Sequence, residues 1–172
     1  MTASTSVIKQ ELDRLFAARR PTKWVTRERP KIDRIACPWL ILRFIDPKAE
    51  FLYVPAKEAF AVAAQEKAVA YDIPGAPFEH SGDSCSFDAF IKRFALNAPG
   101  LEHLATIVRG ADTSRLDLTP QSAGLYAISL GLSRNFSDDH EMLRHGLVMY
   151  DALYAWAAAL QDETHNWPPR IT

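Results

Sequence analysis

Between Trp24 and Ile73 the hydrophobic pattern switches repeatedly between the two-residue period of a strand and the 3.6-residue period of a helix. This ordering limits the fold more than any other feature of the chain. Trp24-Val25-Thr26 carries strand-favouring residues and runs into a basic turn around Pro30. The helix that follows has Ile41, Leu42, Phe44 and Ile45 to bury, and Asp46-Pro47 ends it, because a residue before proline avoids the helical region. Glu50 to Val54 reads as a second strand, Ala56 to Ala68 as an alanine-rich helix, and Val69 to Ile73 as a third strand. Strand, helix, strand, helix, strand predicts an α/β or α+β fold whose small three-stranded sheet is joined by helical crossovers, which favours parallel pairing.

Beyond the loop of Pro74, Gly75 and Pro77 the pattern is predominantly helical. Ser86 is placed to cap a helix with Phe87, Phe90, Ile91 and Phe94 inward. Pro99 suits the first position of the next helix, Thr119-Pro120 opens another that Gly131 would end, and Ser137-Asp138-Asp139 begins a long last one. The leading segment repeats its apolar residues at Val7, Ile8, Leu12, Leu15 and Phe16 with helical spacing. The expected organisation is an N-terminal amphipathic helix within 1–21, a domain over 22–164 and an irregular tail over 165–172. The apolar stripe of the first helix would dock on its own domain or on a second copy, making a homo-oligomer.

A chain of 172 residues supports one core. Its net charge of −1 argues against a surface that grips nucleic acid throughout. No stretch has the length and apolarity of a membrane span or a signal-peptide core, so a cytoplasmic location without membrane insertion is expected. Two cysteines far apart in sequence read as free thiols in a reducing compartment.

The chemistry concentrates in two places. Arg27, Arg29, Lys31, Arg34 and Arg43 crowd one stretch with Cys37. Arginine forks and a helix N-terminus suit a tetrahedral oxyanion, and the same surroundings lower a thiol pKa. With Pro38 as first helical residue, Cys37 is the N-cap; with Asp33 as N-cap, Pro38 falls inside the helix and strains it. Either way Arg34 and Cys37 lie near the helix start, as anion ligand and as candidate catalytic thiol. A solvated basic loop over a buried Cys37 is the plainer alternative. The second place holds Glu79, His80, Asp83 and Cys85, with Asp112 available from a later element. Imidazole, carboxylate and thiolate are transition-metal ligands, so His80, Asp83, Cys85 and Asp112 form a candidate metal set, although no H-x-x-x-H or C-x-x-C pair is present. Arg109, near Asp112 and Arg115, would complete the anion site or tie a structural ion pair. A redox or sulfur-transfer enzyme using Cys37 or a His80-centred site is the competing function.

The run W-V-T-R-E-R-P-K-I-D-R-I-A-C-P-W-L-I, the H-x-G-D-x-C-S-F segment at His80 to Phe87 and the closing Y-D-A-L-Y-A-W at Tyr150 to Trp156 together resemble the chromate-resistance protein family, over about residues 22 to 160. The resemblance implies sensing or handling of chromate, a tetrahedral dianion, as the partner. Its motif positions here are Arg27, Lys31, Asp33, Arg34, Cys37, Trp39, His80, Gly82, Asp83, Cys85 and Asp112. The chain departs from the family's I-V-H-x-x-D pattern, having Arg109 in the histidine position. Regulators of that family carry a further N-terminal region associated with DNA, a property not carried over to this chain.

Overall fold

The computed structural model describes residues 5–164, so the tail expected over 165–172 lies outside the described residues. In chain order the elements are α1 (Thr5–Phe16), β1 (Lys23–Arg27), α2 (Asp33–Leu40), β2 (Glu50–Val54), α3 (Ala59–Glu66), β3 (Val69–Ala70), α4 (Ser86–Arg93), α5 (Leu101–Asp112), α6 (Pro120–Asn135) and α7 (Asp139–Ala159). A π-helical turn, Ile41–Ile45, continues α2, and a 3₁₀ turn, Ala56–Glu58, precedes α3. The three strands form a parallel sheet in the order β2-β1-β3, with Trp24 level with Phe51 on one side and Val69 on the other. The predicted small parallel sheet followed by a helical half is the fold observed.

Because successive side chains in a strand point to opposite faces, β1 serves two cores. Trp24 joins the larger one, where Phe16, Phe78 and Phe90 pack around its ring at centroid distances of 5.0, 5.7 and 5.3 Å. Val25 faces the smaller, with Ala59, Ala70 and Ile73. The helix α2 covers the first face and α3 the second. The chain thus leaves β1 toward β2 on one side and then passes back over β1 to reach β3 on the other. The segments leaving the carboxyl ends of the neighbouring strands β1 and β3 start side by side there, the end at which open parallel sheets present their crevices.

The start of α2 differs from one of the two sequence readings. The helix begins at Asp33, so Cys37 is not its cap and Pro38 lies inside it. Proline removes an N–H, leaving the carbonyl of Arg34 without its helical partner; the Tyr53 hydroxyl from β2 donates to that carbonyl at 3.2 Å. Immediately beyond, the helix widens into its π turn. The residue ahead of Asp33, Ile32, has φ 35° and ψ −98°, an uncommon conformation for a β-branched residue.

Other boundaries shift for local reasons. Cys85, not Ser86, caps α4, and the Asp88 side chain accepts from the Cys85 amide at 3.0 Å. Gly100 rather than Pro99 borders α5: it sits at φ 74°, and a Cβ there would lie 2.5 Å from the backbone of Ala158. The helix α6 runs through Gly131 to Asn135; Thr119 caps it as expected, and Asp138, the middle residue of the Ser137-Asp138-Asp139 start, caps α7. The apolar stripe of α1 buries Leu12 and Phe16 on its own domain.

The helix α7 holds α2 in place. Trp39 packs against Tyr150 and Tyr154, its indole N–H donates to Asp151 at 2.7 Å, and Arg43 grips the same carboxylate with two bonds. At the crossing, a Cβ on Gly146 would meet Ile35 Cγ2 at 2.4 Å. Gly146→Ala is therefore expected to lower unfolding free energy by about 1–3 kcal/mol through overpacking, despite the better helix propensity of alanine. Urea denaturation measures this, and an alanine variant as stable as the parent would contradict it.

Candidate functional site

The crevice at the carboxyl end of the sheet gathers five side chains brought from four segments. Arg27 ends β1, Asp33 and Arg34 open α2, Asp72 follows β3, and His80 comes from the loop before α4. Asp112, the last residue of α5, reaches the same place. His80 Nε2 lies 2.9 Å from Asp112 Oδ2, 3.2 Å from Asp72 Oδ1 and 3.7 Å from Asp33 Oδ2. One donor atom each from Asp33, Asp72 and His80 fall within 4.8 Å of one another.

Each carboxylate is held from behind. Asp33 is fully buried, and its Oδ2 accepts from the first two amides of α4, Ser86 at 2.6 Å and Phe87 at 3.3 Å. Its Oδ1 is also buried and has no hydrogen-bond partner among the described residues. Asp72 Oδ1 accepts from the Ser86 hydroxyl at 3.1 Å, while its Oδ2 meets Arg27 Nη2 at 3.2 Å and Arg34 Nε at 3.3 Å. Asp72 itself adopts φ 51°, where a non-glycine residue persists only when its surroundings over-determine it. The Asp33 amide points to Asp112 Oδ1 at 3.4 Å.

Burial, followed by the charges of Asp112 and Asp72, holds the Asp33 carboxyl well above the usual carboxylate range. Burial and then Asp72 raise Asp112 as well. Arg34 is pulled down by burial and by neighbouring Arg27. His80 is only part-covered, with 43% of its side chain exposed, and it lines an open cleft of about 350 Å³ with Arg27, Asp72, Ile73, Pro74 and Glu79.

The other residues singled out in the sequence are distributed differently. Arg29 turns to α6 and its exit, donating to the carbonyls of Ser133, Phe136 and Ser137. Lys31 is exposed. Arg109 forms a two-bond pair with Asp88 at 2.8 and 2.6 Å, the ion-pair alternative, and so ties α5 to the cap of α4. Asp83 is exposed in the turn bridged by Ser81 and Ser84. Cys85 is buried and contacts Asp88 at 3.4 Å. Cys37 is buried in the core with its thiol pushed well up, by burial first and then by the charges of Asp33 and Asp72, rather than lowered by the helix end and the arginines. Both cysteines are free.

Comparison with known proteins adds the lineage. The model of the ChrB C-terminal domain matches residues 24–157. The chain belongs to that family. It is 32% identical over 133 residues to Protein ChrB of Cupriavidus metallidurans strain CH34, an alignment covering 77% of this chain and 40% of that protein. The chain thus spans less than half the length of that relative. No solved structure matches the chain. No helix among the described residues is long and apolar enough to cross a membrane.

Within this ChrB C-terminal domain the motifs recognisable in the sequence divide into two jobs. The closing Tyr150 to Trp156 segment is a clamp on α2, with the Tyr150 hydroxyl on the Ile32 carbonyl at 3.3 Å, just ahead of Asp33. The first two motifs supply Arg27, Asp33, Arg34 and His80 of the crevice. Asp72 was not among the candidate site residues in the sequence. Its signal is an acid at the carboxyl end of a strand, two residues before Pro74-Gly75, in a chain already read as parallel α/β.

Proposed function

We propose that this domain takes part in chromate resistance as a ligand-receiving module, and that a tetrahedral oxyanion such as chromate enters the cleft over His80. The observation that carries the reading is Arg27. Its side chain lines the cleft and is 39% exposed, with one Nη on Asp72, while its Nε is buried and has no partner among the described residues. Guanidinium donors not committed to protein acceptors are what an oxyanion recruits. Arg34 lies behind Arg27 on the same carboxylate and adds a second positive charge. Family membership supports chromate as the ligand class. The competing reading, thiol chemistry at Cys37, has a buried neutral thiol against it.

Titration calorimetry with chromate, sulfate and phosphate tests this. Saturable binding of at least one anion by the parent is expected, with affinity lowered about 10-fold or more in Arg27→Ala, since a charge-assisted bond contributes about 1.5–3 kcal/mol. Absence of binding by the parent would overturn it.

A further inference from the structure

We propose that Asp33, Asp72 and His80 form a binding site for one divalent first-row transition-metal ion, with Asp112 at its edge. The site uses the same cleft as the reading above, but its recognition chemistry needs no oxyanion.

Three observations support it. The first is spacing. Donor-to-metal bonds of about 2.0–2.2 Å place neighbouring ligand atoms roughly 3–3.5 Å apart. His80 Nε2 is 3.2 Å from Asp72 Oδ1 and 3.7 Å from Asp33 Oδ2, near the separations one ion imposes, and one donor atom from each of the three residues lies within 4.8 Å of the others. The second is Asp33 itself. This fully buried carboxylate has Oδ2, the oxygen nearest His80, anchored by two backbone amides and its other oxygen, Oδ1, without a partner among the described residues, and a buried carboxylate so incompletely satisfied is costly unless positive charge comes close.

The third is the layer behind the ligands. Metal-binding carboxylates are themselves oriented by hydrogen bonds, and those partners fix the geometry of the site. Asp72 has the Ser86 hydroxyl on one oxygen and two arginines on the other; Asp33 has the start of α4. The His80 side chain, partly exposed at the mouth, leaves an approach from solvent. Two carboxylates and one imidazole, without a thiolate, suit ions such as Mn²⁺, Fe²⁺ or Zn²⁺ better than the sulfur-preferring Cu⁺. Asp83 and Cys85 are not part of this set: the one is exposed in its turn, and the other contacts Asp88.

The test uses the whole 172-residue chain without a histidine tag, stripped with chelator, dialysed, and titrated with Zn²⁺ and separately with Mn²⁺ in oxyanion-free buffer. One saturable equivalent is expected for at least one ion. Affinity should fall 10-fold or more in His80→Ala, a substitution at a partly exposed side chain, and in Asp72→Asn, with circular dichroism confirming that both variants fold. The zinc absorption edge should show only oxygen and nitrogen neighbours at about 2.0–2.2 Å, without a sulfur shell at about 2.3 Å. Absence of saturable binding, a sulfur shell, or unchanged affinity in both variants would each overturn the proposal. Chromate titrated into the stripped protein separates the two readings: anion binding without metal binding removes only this one, and the reverse removes only the other.

Discussion

Trp39→Ala is expected to lower the unfolding free energy by about 3–5 kcal/mol, the range for deleting a large buried aromatic. The indole is fully buried and touches four rings, those of Phe44, Tyr154, Tyr150 and Phe87, at centroid distances of 5.7, 5.3, 6.1 and 6.4 Å. Its N–H also satisfies Asp151, so truncation opens a cavity and removes a bond to a carboxylate. Trp39→Phe separates the two effects: it keeps much of the packing and should lose clearly less. Urea unfolding followed by circular dichroism measures both. A loss below about 1.5 kcal/mol for the alanine variant would show that α7 does not clamp α2 as described. Since α2 begins with Asp33 and Arg34, the same variant should weaken whatever ligand the crevice takes, although Trp39 is not among the residues that form it.

The metal-free protein should become less stable as pH rises from the ordinary carboxylate range toward neutrality, and Asp33→Asn should remove much of that slope. The folded state raises the pKa of Asp33, so between the unfolded and folded values the native protein binds more protons than the unfolded chain. Stability then falls with increasing pH and is fully retained below the unfolded value. Asparagine keeps an oxygen for the amides of Ser86 and Phe87 and carries no charge against Asp72 and Asp112. At pH 8 the stripped asparagine variant is therefore expected to be more stable than the stripped parent, by on the order of 1–3 kcal/mol, the scale of a buried polar group left uncompensated. At pH 4 the gap should close. Thermal melts across this pH range decide the matter, and an asparagine variant less stable at both ends would refute it. The variant should at the same time lose metal affinity, the exchange of stability against function expected of a strained site.

Much of the architecture was legible because it is written in local periodicity. All three strands, the crossovers and the helical second half followed from apolar spacing, and the cap Thr119 from a single residue before proline. The boundaries that moved were those decided by distant parts of the chain. Pro38 is tolerated inside α2 because Tyr53, from another strand, takes the carbonyl that proline frees. Gly100 borders α5 because Ala158, 58 residues later, leaves no room for a Cβ.

The crevice was legible in part for the same reason. The basic stretch and the His80 loop were conspicuous as runs of charge and metal-ligand types. That Arg27 and Arg34 share Asp72, that Arg29 serves α6, and that Arg109 serves α4 depends on which acid each meets across the fold. Nothing in spacing along the chain reports that pairing. Asp33 looked like a helix cap, and it does cap a helix, but α4 rather than its own.

Arg34 is fastened at both ends of its length. Its main-chain carbonyl is bonded to Tyr53 of β2, while its guanidinium is bonded to Asp72, just past β3, and to the Glu28 carbonyl after β1. One residue thus spans the width of the sheet like a tie rod, joining its outer strands above the central one. A ligand that drew the Arg34 guanidinium from Asp72 would undo the tie at β3 and leave the carbonyl bond to Tyr53 of β2 in place.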